Sequence, residues 1–163
     1  VNNWYNFYYE RMNDRYRDHI ASRYWDFIDY IIENSRGAEK IHEAGCGAAN
    51  ISRIVSKFTN AKLVLTDKCP QMLNLAKQNM KETEGYETAL VNLLNDTCPD
   101  SDVVYSHGVL EHFDDEQIRT IVENQLKSAK TVIHYVPSAK YSSPSFGDER
   151  LMTVDKWKEI CNL

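Results

Sequence analysis

The sequence predicts a doubly wound α/β domain, a parallel sheet with helices on both faces, and three observations carry that expectation. From Lys40 onward, short β-type runs alternate with amphipathic helical stretches, the pattern of successive βαβ units. The first of these strands runs directly into a glycine turn, Glu43-Ala44-Gly45-Cys46-Gly47, that feeds a helix. The second ends on a carboxylate, Asp67. In a doubly wound sheet the ligand crevice lies at the carboxyl ends of the strands, where the winding direction reverses, so both features fall where a site belongs.

The elements follow in order. Residues 1 to about 36 are polar and aromatic, with Ile20, Tyr24, Phe27, Ile28 and Ile31 at spacings of three and four that put them on one helical face. Asn34, Ser35, Arg36 and Gly37 end that helix. Five strands are expected, at Lys40–Ala44, Lys62–Thr66, Thr88–Val91, Asp102–Ser106 and Thr131–Val136, each short and rich in β-branched or apolar residues. The helix after the first strand carries Ile51, Ile54, Val55 and Phe58 on one face, and the helix after the second starts near Pro70, a favoured first-turn residue. After the fourth strand, Asp114 followed by Gln117 reads as a capping box, with Ile118, Ile121, Val122 and Leu126 as the buried stripe behind it. Thr153 caps a last helix running through Trp157 and Ile160.

At 163 residues the chain fits a single domain, an N-terminal helical segment over 1–37 and an α/β core over 38–163. The 19 Lys and Arg against 24 Asp and Glu leave a net charge of −5, with the basic residues scattered, which argues against nucleic acid as a partner. Cys46, Cys69, Cys98 and Cys161 lie far apart, at neither zinc-ligand nor redox spacing, so no metal site is expected and reduced thiols in a cytoplasmic protein are the simplest reading. Apolar runs of a handful of residues exclude a membrane-spanning helix.

The glycine turn carries the chemistry. Its glycines let the backbone approach a ligand, and the helix that follows presents free N–H groups. A dinucleotide site built on G-x-G-x-x-G wants a third glycine under the pyrophosphate, but Asn50 stands there. Glu43 would repel a pyrophosphate and suits the ammonium of an amino-acid moiety. At the end of the second strand, 24 residues after Glu43, the Asp67 carboxylate can accept from both hydroxyls of a ribose.

These residues resemble motif I of the class I methyltransferases, with Ala49 where many members carry a third glycine. The stretch Asp102-Val103-Val104-Tyr105-Ser106-His107-Gly108-Val109-Leu110-Glu111-His112-Phe113 is similar to the family's motif after strand four, and Phe146-Gly147-Asp148-Glu149-Arg150 is similar to small-molecule members. The resemblance covers residues 40 to 160. It implies a Rossmann-like sheet in the order 3-2-1-4-5, S-adenosylmethionine as cofactor with S-adenosylhomocysteine as product, and a small-molecule methyl acceptor. It also implies a cofactor site made of Glu43, Gly45, Cys46, Gly47, Asp67, Lys68, Met72, Asn92, Leu93, Ser106, His107 and Gly108, in which Asn92 matches an Asp that accepts from the adenine amino group. The family's sheet has seven strands and Leu163 falls inside the helix before the last two, so strands six and seven are expected to be absent. Strand five then becomes an edge open to pairing as a homodimer. Val1 in place of Met suggests a processed, trimmed or partial gene product.

Several readings stay open at this stage. His112 is either a proton acceptor facing the substrate or a buttress of the loop after strand four. Trp4, Tyr5, Phe7, Tyr8, Tyr9 and Tyr16 either close over the cofactor as a lid or simply pack. Cys46, with no His evident beside it, reads as a small filler rather than a nucleophile. The competing functions are a non-catalytic S-adenosylmethionine-binding module and an NAD(P)-dependent oxidoreductase, the latter disfavoured by Glu43 and Asn50.

Overall fold

A computed structural model describes residues 3–142 and 148–162. Five strands, β1 (Lys40–Ala44), β2 (Lys62–Asp67), β3 (Tyr86–Leu90), β4 (Val103–His107) and β5 (Thr131–Tyr135), form one sheet in the order β3-β2-β1-β4-β5. All four pairings are parallel. The winding therefore reverses between β1 and β4, and the carboxyl ends of those two strands flank the crevice.

Alternation along the strands sorts side chains into two cores. On one face Ile41, Leu63, Leu65, Val103 and Tyr105 pack beneath α2 (Asp14–Arg23), α3 (Trp25–Asn34), α4 (Asn50–Val55) and α5 (Pro70–Asn79). On the other, Ala44 and Val104 pack with Ile118 and Ile121 of α6 (Asp115–Ser128) and Ile160 of α7 (Val154–Cys161). A short helix, α1 (Asn3–Tyr9), lies over the amino end of α5 and places Tyr5 and Tyr8 against Ala48, Met72 and Leu75.

The predicted elements are all present, with boundaries moved by one or two residues for identifiable reasons. Strand four starts at Val103, because the Asp102 carboxylate turns back to accept from the N–H groups of Glu39 (2.9 Å) and Lys40 (3.1 Å). Strand three starts at Tyr86, which pairs with Leu63 in the parallel ladder. The N-terminal face of Ile20, Phe27, Ile28 and Ile31 is buried as expected, but it belongs to two helices that part at Tyr24. Two expected core positions are corrected. Helix α4 stops at Val55, which leaves Phe58 53% exposed and edge-on to Trp25, and on α6 the stripe continues from Ile121 to Gln125, four residues on, which turns Leu126 out to solvent.

The caps are as the sequence predicts. The Asp114 carboxylate accepts from Gln117 N–H at 2.9 Å while the Gln117 side chain accepts from Asp114 N–H at 3.1 Å, and Thr153 accepts from Lys156 N–H at 3.2 Å. Replacing Asp114 with Ala is expected to cost about 1 kcal/mol in urea unfolding without changing ligand binding. Among the described residues no helix is long and apolar enough to cross a membrane, and all four cysteines are free thiols.

Candidate cofactor and acceptor site

One cavity of about 880 Å³ opens at the carboxyl ends of β1 and β4. Glu43, Gly45 and Cys46 bring the glycine turn to its floor, and His107, Gly108, Glu111 and His112 bring the turn after β4 to the adjoining wall. The two turns touch, since a Cβ on Gly45 would stand 2.8 Å from Cγ2 of Val109. Helices α1 and α2 cover the opening with Trp4, Phe7, Tyr8 and Tyr16, joined by Tyr24 at the junction of α2 and α3, and Arg23 and Lys140 stand at the wall without a carboxylate partner among the described residues.

Glu43 is held by β4 and α4. It pairs with Tyr105 across the β1–β4 ladder, so both side chains rise on the same face. Its Oε2 accepts from Tyr105 Oη–H and from Ser52 N–H, each at 3.3 Å, and Ser52 Oγ lies 2.5 Å from Tyr105 Oη. Burial pushes the Glu43 carboxyl up to about 7, against the opposing pull of those hydrogen bonds. A cation arriving in the cavity would be drawn to this carboxylate and would hold it ionised.

Asp67, at the end of β2, supports the turn from the other side. One oxygen accepts from Gly47 N–H at 3.0 Å and the other from Cys69 N–H at 2.9 Å. Burial raises the Asp67 carboxyl and these backbone donors lower it. Two accepted hydrogen bonds leave about half of a carboxylate's lone-pair sites for a ligand. Asn79 completes the scaffold by donating to Ala48 C=O (2.8 Å) and to Asn50 Oδ1 (3.1 Å) while accepting from Arg17 Nη2 (3.0 Å), which ties α5, the turn and α2 together.

The remaining predicted residues divide between the cavity and its surroundings. Met72 and Leu93 are buried and Lys68 is exposed; none of these three, nor Gly47, Asp67, Asn92 or Ser106, belongs to the cavity wall. Asn92 uses its Oδ1 to accept from Leu94 N–H at 3.1 Å, closing its own turn. Ser106 Oγ shares a 2.7 Å hydrogen bond with Nδ1 of His134 on the neighbouring strand. His107 is enclosed by Tyr24, Phe27 and Tyr135, with its ring 4.2 Å from that of Tyr24, and burial pushes it down to about 4. His112 has Nδ1 3.3 Å from Asp148 and its ring edge-on to Trp4 at 5.6 Å. The Cys46 thiol is pushed well up by burial, which suits a filler. Phe146 and Gly147 lie outside the described residues.

Sequence reasoning missed Ser52, Tyr105, Asn79 and Glu111. The first three act through partners up to 62 positions away, invisible without the tertiary fold. Glu111 was read only as part of a motif whose histidine drew attention, although an acid between the apolar Leu110 and the ring of His112 was itself a signal.

The comparisons with known proteins agree with this geometry. The family described as Methyltransferase domain matches residues 42–131, which is more than half of the 163-residue chain and includes both turns. The chain belongs to the methyltransferase-domain family. Among solved structures, human N-acetylserotonin methyltransferase in complex with SAM superposes with a TM-score of 0.67 at 14% identity, over 94% of this chain and 49% of that one. A putative O-methyltransferase from Nostoc punctiforme gives 0.70 at 14% identity, over 98% and 52%. The N-methyltransferase NodS from Bradyrhizobium japonicum, in complex with S-adenosyl-L-homocysteine, gives 0.60 at 22% identity, over 78% and 68%. At these identities the likeness is one of fold, and this methyltransferase domain spans about half the length of the human and Nostoc chains. No curated protein sequence matches it.

Proposed function

We propose that the domain binds S-adenosylmethionine and transfers its methyl group to a small molecule, leaving S-adenosylhomocysteine. The observation that carries this reading is the pairing on the cavity floor of a buried carboxylate, Glu43, with Gly45 in the left-handed region at φ 68°, followed two residues on by a second left-handed glycine, Gly47 at φ 53°, beneath Tyr8. That combination admits the backbone of a cationic amino-acid moiety and rejects a pyrophosphate, which is the reason to set aside the NAD(P) reading. The spare lone pairs of Asp67 suit ribose hydroxyls, and Met72 and Leu93 suit an adenine. When bound, the cofactor supplies a methyl group on an already activated sulfonium, so the protein's task is to hold nucleophile and donor in line and keep water out.

The cavity supports a small acceptor rather than a polymer. Its volume of about 880 Å³ lies within the roughly 300–1,000 Å³ of small-molecule sites, and the net charge of −5 disfavours nucleic acid. Helix α1 sits over Gly47 and Met72 through Tyr8, whose hydroxyl burial pushes upward in pKa, and we read it as the cover of the adenosyl half.

Calorimetry tests the proposal. Wild type is expected to bind S-adenosylmethionine and S-adenosylhomocysteine, and Asp67→Ala to weaken both by about ten- to a hundredfold through loss of charge-assisted hydrogen bonds. NADH fluorescence should be unchanged by the protein. A folded wild type that binds neither sulfur ligand would remove the cofactor reading, and binding without transfer across a broad acceptor screen would favour a non-catalytic module.

A further inference from the structure

Glu111 is a buried acid that the fold leaves unsatisfied. It is 3% exposed, lines the cavity, and its Oε2 has no hydrogen-bond partner among the described residues. Leaving a buried carboxylate oxygen without a donor costs free energy that a structural residue would not retain for packing alone. Its other oxygen lies against the turn after β4, where a Cβ on Gly108 would come within 3.4 Å of Oε1, so glycine at 108 gives the carboxylate room.

The surrounding backbone fixes that carboxylate in place. Glu111 sits in a short 3-10 turn, Leu110–His112, whose carbonyl at Glu111 accepts from Arg150 N–H at 2.9 Å. The Arg150 guanidinium donates to Phe113 C=O at 2.6 Å and to Asp115 Oδ1 at 2.5 Å, so it braces the turn while its charge goes to Asp115 and not to Glu111. The turn abuts the glycine turn of β1 through Val109 and Gly45, which brings Glu111 and the proposed methyl-donor floor to neighbouring walls of one cavity.

Resting on the methyl-transfer reading above, we propose that Glu111 is the general base of the reaction and that the acceptor therefore presents a protic group, an O–H or N–H, to Oε2. In the step, the lone pair of the acceptor's O or N forms the bond to the methyl carbon. The carbon–sulfur bond breaks with its electron pair going to sulfur, and the acceptor's proton passes to Glu111 Oε2. No oxidant or further reactant enters. The charges acting on Glu111 are the carboxylates of Asp148 and Glu149; His107, His112 and Glu43 line the same cavity, and Arg150 holds the Glu111 carbonyl. Burial first, then Asp148 and Glu149, push the Glu111 carboxyl up to about 7, where a base is half ionised at neutral pH, whereas His107 at about 4 is too weak a base to compete.

The test compares paired probes that differ only in the proton: phenol against anisole, and aniline against N,N-dimethylaniline. Binding is followed by protein NMR at pH 8 on wild type and Glu111→Gln, with circular dichroism confirming that the variant folds. Wild type is expected to prefer at least one protic probe over its methylated partner by about tenfold, the cost of leaving the carboxylate unpaired, and Glu111→Gln to lose that preference. Preference for phenol identifies an O–H acceptor and preference for aniline an N–H one. Equal binding of both members of both pairs, or a preference that survives in Glu111→Gln, overturns the proposal. The comparison needs no bound cofactor, so S-adenosylhomocysteine binding, measured separately, reports on the cofactor reading by itself.

Discussion

Replacing Gly45 with Val is expected to abolish S-adenosylhomocysteine binding and to lower stability by about 2–5 kcal/mol, the sum of a left-handed backbone penalty and overpacking. Gly45 has φ 68°, a region in which a β-branched residue is strained, and its Cβ would stand 2.8 Å and 3.2 Å from the two methyls of Val109. Val109 cannot retreat freely, because it lies between Gly108, whose N–H donates to Tyr135 C=O at 3.0 Å, and the braced 3-10 turn. Relief must therefore come from separating the two turns that make the cavity floor and wall. Gly85 is the control, with φ 73° and nothing within 4 Å of its would-be Cβ, so Gly85→Ala should cost only the backbone term of about 1–2 kcal/mol and leave binding intact. Equal losses of binding in the two variants would mean that general destabilisation, and not the contact of the turns, removes the site.

The contrast between Gly45 and Gly85 also marks how far the sequence was readable. The placement of the motif Glu43-Ala44-Gly45-Cys46-Gly47 and of the strand-end Asp67 was legible because it is set by local backbone geometry, and the fold brings them to one turn through the 3.0 Å contact of Asp67 with Gly47 N–H. The strands and caps were legible for the same reason. What could not be read was whatever depends on register: that Tyr105 stands opposite Glu43, that Ser52 reaches both, and that Asn79 joins three elements. Asn92 shows how a local role overlays a motif position. A motif position implied a ligand contact, while the local alternative, an Asn closing its own turn onto Leu94, uses the same carbonyl oxygen. Leu126 and Phe58 were misplaced because apolar character was taken for burial, where helix phase and helix length decide.

Stability is expected to peak near pH 6.5, because buried acids and buried bases in this fold pull in opposite directions. Burial pushes His42, His107 and His134 down to about 4 from an ordinary value of 6.5, so the folded state resists protonating them. Their contribution is fully present above pH 6.5 and is lost as pH falls from there through 4. Glu43 and Glu111 are pushed up to about 7 from an ordinary 4.5, so the folded state holds protons that the unfolded chain has released. Their contribution is complete below pH 4.5 and is lost as pH rises through 7. Between 4.5 and 6.5 three histidines act against Glu43 and Glu111, with Asp67, also raised by burial, opposing them at the acid end, so stability rises with pH by at most about 1.4 kcal/mol per unit. Below 4.5 Glu43 and Glu111 no longer oppose the histidines and the fall steepens, joined by Asp102 and Asp115, whose carboxyls are held down by hydrogen bonds from backbone N–H groups and from Arg150 respectively. Between 6.5 and 7 only the two acids act, and stability declines. Urea unfolding at pH 4.5, 6.5 and 8 measures the curve. Glu111→Gln should roughly halve the decline above pH 6.5 and steepen the rise from 4.5 to 6.5, since it removes one of the acids that oppose the histidines there. A wild-type curve that continues to rise from 6.5 to 8 would mean that Glu43 and Glu111 ionise in the folded protein as easily as in the unfolded chain, and the electrostatic account of both carboxylates would fail together.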